Sequence, residues 1–439
     1  MRASSYKIAA VFVLLGALAM AQAPAAVAKK KDAFTNYDRE MLTDMMQTVQ
    51  QTLLKHYYDP AFHGVDIKAR YSTYLQRVET APNFGVGFRE IAAYLAGLND
   101  SHTYFVPPSR SWEFFYGFTM QLIGDRAFIA AVRPPSDAAA KLHPGDEILS
   151  LDGYSVNRKD YDPLSYDLYE LEPRPTLRLV LRDPVGRERT VSVNTKFVQH
   201  SKLDYADQNL AVMIAEQERL EKPREAVAGD VFIWKLPDFV EPEEQIDAMM
   251  SKARPHPAVV LDLRGNPGGA LEELQYLLGY FLPEETKIAD VVGRKHKRPE
   301  MAKPHDHPYG GKLVVLVDSG SASAAELFAR VVQLNRRGVV VGDQTAGAVM
   351  EAEEFPLEVG VDIAALYGMS VTVDDLVMSD GHSLEHVGVT PDVMLTPTAA
   401  DLAAARDPVL ARAVALAGGE LTPEAAGKLF PYLWRNYRN

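Results

Sequence analysis

The pattern that most constrains the fold is an alternation of short apolar segments with helix-like segments in the second half of the chain. The apolar segments are Val231–Leu236, Val259–Leu263, Leu313–Val317 and Val339–Val341, and the helix-like segments between them are Glu243–Lys252, Leu271–Leu282 and Ala324–Leu334. Strands that alternate with helices favour parallel pairing through right-handed crossovers. Residues 226–418 are therefore predicted to form an α/β domain on a parallel sheet.

The chain before this domain divides into a helical and a β-rich part. Tyr37–Leu98 carries apolar residues at helical spacing, whereas Phe114–Val198 holds short alternating segments separated by glycine, proline and aspartate. The predicted divisions are a helical region (29–112), a small β-rich domain (113–200), a linker helix (201–225), the α/β domain (226–418) and a C-terminal tail (419–439). The charged stretch Gly293–Gly311 is predicted to be a long surface loop.

The N-terminus has the layout of a secretory signal peptide. Arg2 and Lys7 precede the apolar run Ile8–Ala21, and small residues follow up to Ala28. The run is shorter than the ~20 residues that cross a bilayer. Residues 1–28 are therefore predicted to be removed on export, which leaves a periplasmic or otherwise exported protein without a stable membrane anchor.

Charge and cysteine content exclude several functions. The formal net charge of −13 disfavours binding to the phosphate backbone of a nucleic acid. The chain has no cysteine, so disulfides, thiolate metal ligands and a cysteine nucleophile are excluded. Any catalysis must come from other side chains.

Gly268 and Gly269 lie in a predicted strand-to-helix turn, where several backbone N–H groups come together. Such turns bind anions. A phosphate-binding loop would need lysine after the last glycine, and Ala270 stands there instead. The turn is predicted either to stabilise an oxyanion or only to permit close packing.

Ser323 opens the helix that follows the next strand. With Glu326 it forms a capping-box pattern, which alone could account for the residue. A serine at a helix N-terminus among small residues also suits a nucleophile, because nearby amides can stabilise an oxyanion. Position alone leaves both interpretations open.

Three segments together resemble the core of the tail-specific, or C-terminal-processing, serine peptidases: Asp262–Gly269, Gly320–Glu326 and Val340–Gly347. The resemblance implies a crotonase-like fold for the α/β domain and assigns the nucleophile to Ser323. It implies an oxyanion hole formed by Gly268, Gly269 and Ala324.

The general base differs from that of the bacterial tail-specific peptidases. They carry a lysine in Thr-Phe-Gly-Lys, whereas this chain has Thr345-Ala346-Gly347-Ala348. The segments Leu98–Tyr104 and Gly381–Asp392 instead resemble the tricorn-core branch of the superfamily. That resemblance assigns the base to His102, its orientation to Ser101, and the support of Ser101 to Glu385.

Two groups of residues raise the question of a metal site. They are His305-Asp306-His307 and the set His382, Glu385 and His386. Two histidines four residues apart can bind zinc on a helix, but the neighbouring glycine and valine residues indicate loop and strand, and the His-Glu-x-x-His order is absent. Neither a metal nor another cofactor is predicted.

The β-rich domain resembles protease-associated PDZ domains through Tyr116-Gly117-Phe118 and the run His143–Gly153. The resemblance implies that an extended peptide adds to the sheet as a strand. The amides of Gly117 and Phe118 would then bind its terminal carboxylate.

Together these features predict an exported serine endopeptidase that cleaves polypeptides through a Ser-His acyl-enzyme mechanism. Two alternatives remain on the same fold. One is a peptide-binding protein that has lost activity, and the other is a carrier of hydrophobic ligands.

Overall fold

The structure is a computed structural model that describes residues 34–110, 112–199, 219–220, 222–360 and 365–434. The predicted signal peptide (1–28) and almost all of the predicted linker helix between Tyr205 and Leu220 lie outside these residues. Among the described residues, no helix combines the length and the apolar character that a membrane span requires.

Three helices form the N-terminal region: α1 (Asn36–His56), α2 (Ile67–Glu79) and α3 (Phe84–Ala96). Each begins after a residue whose side chain accepts a hydrogen bond from a helix N–H, namely Thr35, Asp66 and Asn83. Their buried apolar side chains pack in one cluster with Tyr367 and Met369. The helical region therefore shares its core with a sheet from the far end of the chain.

The next part of the chain is rich in strands. They are β1 (Tyr104–Val106), β2 (Trp112–Phe115), β3 (Phe118–Ile123), β4 (Arg126–Val132), β5 (Glu147–Leu151), β6 (Tyr154–Ser155), β7 (Thr176–Arg182), β8 (Glu188–Asn194) and β9 (Lys196–Gln199), with helix α4 (Arg158–Tyr166) between β6 and β7. An antiparallel sheet has the order β3-β4-β5-β7-β8, with β6 on β5, and β2 pairs with β9. Strand β3 lies at an edge of this sheet.

The remaining elements complete the α/β part. They are β10 (Arg224–Ala228), β11 (Val231–Lys235), α5 (Glu243–Ala253), β12 (Ala258–Asp262), α6 (Leu271–Phe281), β13 (Thr286–Gly293), β14 (Glu300–Ala302), β15 (Lys312–Val317), α7 (Ala324–Leu334), β16 (Val339–Gly342), β17 (Met350–Val359), β18 (Ala365–Met378), β19 (Val393–Met394), α8 (Ala399–Ala403), α9 (Pro408–Ala417) and α10 (Pro423–Ala426). Six strands form a sheet in the order β10-β11-β12-β15-β16-β19, parallel except between β10 and β11. The four predicted strands are its centre, so the predicted parallel pairing is confirmed.

A second, antiparallel sheet joins the helical region to the α/β part. Its long strand β18 pairs with β17 on one side and with β1 and β13 on the other. The pairing of Tyr104 with Ser370 holds β1 on this sheet directly after His102. This pairing carries a loop of the helical region to the α/β part.

The stretch Gly293–Gly311 was predicted to be one long loop, but the structure differs. It contains β14, which pairs with β13. A strand of three residues is too short to produce a periodic pattern, which is why the sequence did not indicate it. Further along, α10 falls in the segment predicted as a tail, and Ala426 packs against the parallel sheet.

Candidate active site

Ser323 lies in the turn between β15 and α7, at the carboxyl edge of the parallel sheet. Its φ of 51° and ψ of −117° are strained for a residue with a side chain. The turn is supported by hydrogen bonds from the Ser321 hydroxyl to the Leu263 carbonyl (2.8 Å) and from the Ala322 amide to the Asn266 carbonyl (2.9 Å). A strained serine between strand and helix is typical of an exposed nucleophile.

Gly268 and Gly269, which follow β12, pack closely against their neighbours. A Cβ atom on Gly268 would lie 2.7 Å from the Cβ of Ser323, and one on Gly269 would lie 2.3 Å from the carbonyl oxygen of Phe239. Their φ angles are +99° and +146°. Only glycine meets both the conformation and the spacing, so Gly268 leaves room for Ser323 and Gly269 leaves room for the backbone of Phe239.

The predicted oxyanion-hole amides have different surroundings. The Gly268 N–H donates to the side-chain oxygen of Asn266 at 2.8 Å, so it is already engaged. The Ala324 N–H is the first of α7, and its nitrogen lies 3.0 Å from the place a Gly268 Cβ would take. The Ala324 amide lies beside Ser323 at the positive end of the helix dipole. Of these two donors it is therefore the better placed to stabilise an oxyanion.

Ser101, His102 and Glu385 form a hydrogen-bonded chain. The Ser101 hydroxyl oxygen lies 2.7 Å from Nδ1 of His102 and 2.9 Å from Oε2 of Glu385, and the Ser101 amide donates to Oε1 at 2.7 Å. A carboxylate only accepts, so the hydroxyl donates to Glu385 and accepts the proton of Nδ1. The lone pair of His102 is then on Nε2, as a general base requires.

Two further bonds connect this chain to the nucleophile turn. The Val349 amide donates to Oε2 of Glu385 at 2.8 Å, and the Ser323 amide donates to the Ala348 carbonyl at 2.8 Å. Ala348, in the segment where the resemblance would place a lysine, therefore supports the Ser323 turn through its backbone. The structure brings the four predicted catalytic residues into one network, although Ser101 and Glu385 are 284 positions apart.

Asp100, a residue to which the sequence assigned no role, organises the His102 loop. One of its carboxylate oxygens accepts hydrogen bonds from the amides of His102 (3.1 Å) and Thr103 (2.7 Å) and from the Thr372 hydroxyl (2.6 Å). An aspartate side chain commonly accepts hydrogen bonds from the amides two and three residues later in a turn. The spacing of Asp100 and His102 was therefore the only local signal for this contact. The bond to Thr372 depends on β18 and had no local signal.

The electrostatic environment keeps His102 neutral. Burial lowers the pKa of His102 from its usual 6.5, and the charges of Glu385 and Asp100 oppose this effect. At neutral pH the imidazole is therefore uncharged and able to accept a proton.

Glu326 does more than complete the predicted capping box. Its buried carboxylate accepts hydrogen bonds from the Ser323 amide (3.1 Å), from the amides of Gly347 (2.8 Å) and Ala348 (2.9 Å), and from the Thr345 hydroxyl. It thus fixes the nucleophile turn to the segment 345–348. Burial nevertheless raises the pKa of Glu326 to about 7, because the desolvation of the charge outweighs these donors.

We expect this buried acid to make stability depend on pH. Its pKa is raised from 4.5 to about 7 in the folded chain. The native state therefore binds more protons than the unfolded state between these values, and stability falls as pH rises through them, by about 3 kcal/mol. Melting temperatures between pH 4.5 and 7.5 should show a shallower fall in Glu326→Gln than in wild type. The exposed Glu284→Gln is the control, and identical slopes in all three proteins would contradict the expectation.

Gly117 and Phe118, the predicted peptide-binding residues, lie at the start of edge strand β3. Gly117 has a φ of +78°, and the side chain of Phe118 is buried. Two carbonyls of β3, those of Met120 and Leu122, accept hydrogen bonds from the hydroxyls of Tyr161 (2.9 Å) and Ser319 (2.6 Å). The edge to which a peptide strand would add thus contacts α4 and the nucleophile turn in this conformation.

The histidines considered as metal ligands have other partners. His305 lies 3.0 Å from the Tyr276 carbonyl through Nε2 and stacks on Tyr280, whereas His386 contacts Asn99. Within the part of the chain that the structure describes, no group of three or more histidine, aspartate or glutamate side chains could hold a metal ion.

A parallel-sheet domain with a strained serine at its carboxyl edge, linked through residues 348–349 to a glutamate and a serine that hold a histidine, defines a candidate serine hydrolase site. Residues 231–395 match the model of peptidase family S41. The α/β part of the chain is therefore similar to this family. Solved structures of mature CPAF share the fold, one with a TM-score of 0.63 at 17% identity, covering 83% of this chain and 94% of that chain.

Curated relatives are also proteases by name. The tail-specific protease of Haemophilus influenzae is 24% identical over 318 residues, 67% of this chain and 43% of that protein. The carboxyl-terminal-processing protease of Synechocystis is 34% identical over 133 residues, 30% of each chain. A tricorn protease homologue of Streptomyces coelicolor is 27% identical over 402 residues, 82% of this chain and 31% of that protein. This chain thus spans less than half the length of these three relatives.

Proposed function

We propose that the protein is an exported serine endopeptidase that cleaves polypeptides through a Ser-His acyl-enzyme mechanism. The observation that carries the proposal is the chain from Glu385 through Ser101 to Nδ1 of His102, which prepares Nε2 as a base in the same network as Ser323. The family match of residues 231–395 and the names of the relatives support a peptidase.

In the proposed mechanism, the hydroxyl oxygen of Ser323 attacks the scissile carbonyl carbon while its proton passes to Nε2 of His102. The imidazolium then gives that proton to the leaving amine, and an acyl-enzyme remains. Water, deprotonated by His102, attacks the ester carbonyl; the bond to the Ser323 oxygen breaks, that oxygen takes the proton back from His102, and the second product leaves as a carboxylic acid. Glu385 stabilises the imidazolium through Ser101, since it accepts from both the Ser101 hydroxyl and amide.

The negative charge that develops on the carbonyl oxygen needs donors beside Ser323. We assign this role first to the amide of Ala324 at the start of α7, and then, as the resemblance implies, to the Gly268-Gly269 turn, where the Gly268 N–H must leave the side-chain oxygen of Asn266 to contribute. Gly268 has a second role that does not depend on its amide, because its lack of a Cβ leaves room for Ser323.

Substrate capture is assigned to the PDZ-like domain, with Gly117 and Phe118 binding the substrate terminus. Since the outer edge of β3 accepts bonds from Tyr161 and Ser319, a peptide strand must displace these contacts before it can add there. Export follows from the predicted signal peptide.

A fluorophosphonate probe tests the nucleophile directly. We expect the full chain to be labelled and to cleave an unfolded polypeptide, and Ser323→Ala to do neither at unchanged melting temperature. The matched control is Ser319→Ala in the same loop, whose hydroxyl bonds the Leu122 carbonyl, and it should retain labelling. Equal labelling of wild type and Ser323→Ala would reject the assignment.

One observation favours the alternative of an inactive peptide-binding protein: Ala348 stands where the bacterial family members carry their lysine. Folded wild-type protein that binds peptides but gives neither labelling nor cleavage products would select that function.

A further inference from the structure

One contact between the His102 loop and the Glu385 loop has no part in the proposed mechanism. Nε2 of His386 lies 2.7 Å from the carbonyl oxygen of Asn99, and the side-chain nitrogen of Asn99 lies 3.2 Å from the same ring nitrogen. A carbonyl oxygen only accepts, so the shorter contact has Nε2–H of His386 as its donor. The imidazole therefore binds the backbone three residues before His102.

Both partners have an unfavourable backbone conformation. Asn99 has a φ of 55° and His386 a φ of 59°, in the left-handed region that residues with a side chain rarely adopt. Such conformations persist where surrounding contacts impose them, and they are concentrated at functional sites. Here the two strained residues meet at the junction between the helical region and the α/β part.

The backbone of His386 makes a second connection. Its amide donates to the Gly347 carbonyl at 2.7 Å, and the carbonyl of the next residue, Ala348, accepts from the Ser323 amide. A single residue thus contacts the loop of the base through its side chain and the segment that supports the nucleophile through its amide.

We propose that His386 is a positioning residue that sets the distance between His102 and Ser323, an inference that rests on the proposed function. Proton transfer requires heavy atoms about 2.6–3.2 Å apart, and a displacement of ~1 Å can lower the rate about 100-fold. His386 is not assigned a catalytic role, because its Nε2 proton is given to Asn99.

Three variants of the full chain test this role. His386→Gly removes the ring and relieves the positive φ, so we expect an unchanged or higher melting temperature, a kcat lowered about 10–100-fold and a KM within about 3-fold of wild type. His386→Gln restores an N–H donor at the ε2 position and should recover most of kcat. His382→Ala, an exposed histidine in the same loop, is the control and should match wild type.

The outcomes separate this inference from the proposed function. Wild-type kcat in His386→Gly, or equal losses in His386→Gly and His386→Gln, would overturn the positioning role and leave the Ser-His mechanism intact. A wild-type protein that is neither labelled nor active would overturn both.

Discussion

Replacement of His102 by alanine is expected to lower kcat/KM for polypeptide cleavage about 10³-fold or more, because Ser323 loses the group that takes its proton. The fold should be preserved, since the backbone bonds of the loop to Asp100 do not involve the imidazole. Initial rates on an unfolded polypeptide, with melting temperature measured in parallel, test both statements. His382→Ala is the matched control and should keep wild-type rates. A His102→Ala protein with a tenth of wild-type activity would show that another group acts as the base.

The assignment of His102 as the general base also determines how kcat/KM changes at acidic pH. A general base works only when unprotonated, so kcat/KM should rise with pH and level off above the pKa of His102. Burial lowers that pKa below 6.5, so the midpoint of the rise is expected below pH 6.5. A midpoint above pH 7 would contradict the neutral imidazole described here.

Gly268→Ala is expected to lower kcat/KM about 100-fold or more. The new Cβ atom would lie 2.7 Å from the Cβ of Ser323 and 3.0 Å from the Ala324 nitrogen, so the nucleophile or an oxyanion donor must move. The effect should appear in kcat and in the rate of fluorophosphonate labelling.

Gly265→Ala provides the comparison, because it adds the same atom in the same turn. Gly265 also has a positive φ, +69°, but a Cβ there meets nothing within 4 Å. We expect it to cost about 1–2 kcal/mol of stability from backbone strain alone while activity stays within about 3-fold of wild type. Equal losses of activity in both variants would show that strain in the turn, rather than contact with Ser323, is responsible.

The outer edge of strand β3 contacts the turn that carries Ser323, which bears on the proposed peptide binding. Ser319, whose hydroxyl bonds the Leu122 carbonyl, lies four residues before Ser323. A peptide that adds to β3 must replace this contact, so peptide binding and the nucleophile turn cannot be independent.

Much of the architecture could be predicted from the sequence, because its signals are local. The alternation of apolar and helical segments indicated the parallel sheet. Strands β11, β12, β15 and β16 lie side by side in it and pair in parallel, as predicted. The two strand-to-helix turns that carry Gly268 and Ser323 were also predicted, because glycine is typical of such turns and serine is typical of the residue before a helix. By contrast, β14 is too short for any pattern.

The roles of the base and its supports were predicted by resemblance to a family and not by the chain's own periodicity. Ser101 and Glu385 meet only because β1 pairs with β18 and brings a loop of the helical region beside the α/β part. Asp100 had only a local turn signal, and the bonds from Glu326 to the segment 345–348 had none.

The sequence alone therefore determined the central strands and helices of the α/β part, their parallel pairing and the turn in which the serine lies, because propensity and periodicity act over a few residues. Only the tertiary structure decided the contacts that neither periodicity nor resemblance indicated: those of the buried Glu326 under the Ser323 turn and of His386, which joins the two loops. The reason is physical. A hydrogen bond requires its two atoms within about 3.2 Å, and that distance is set by the packing of whole elements, which no short stretch of sequence encodes.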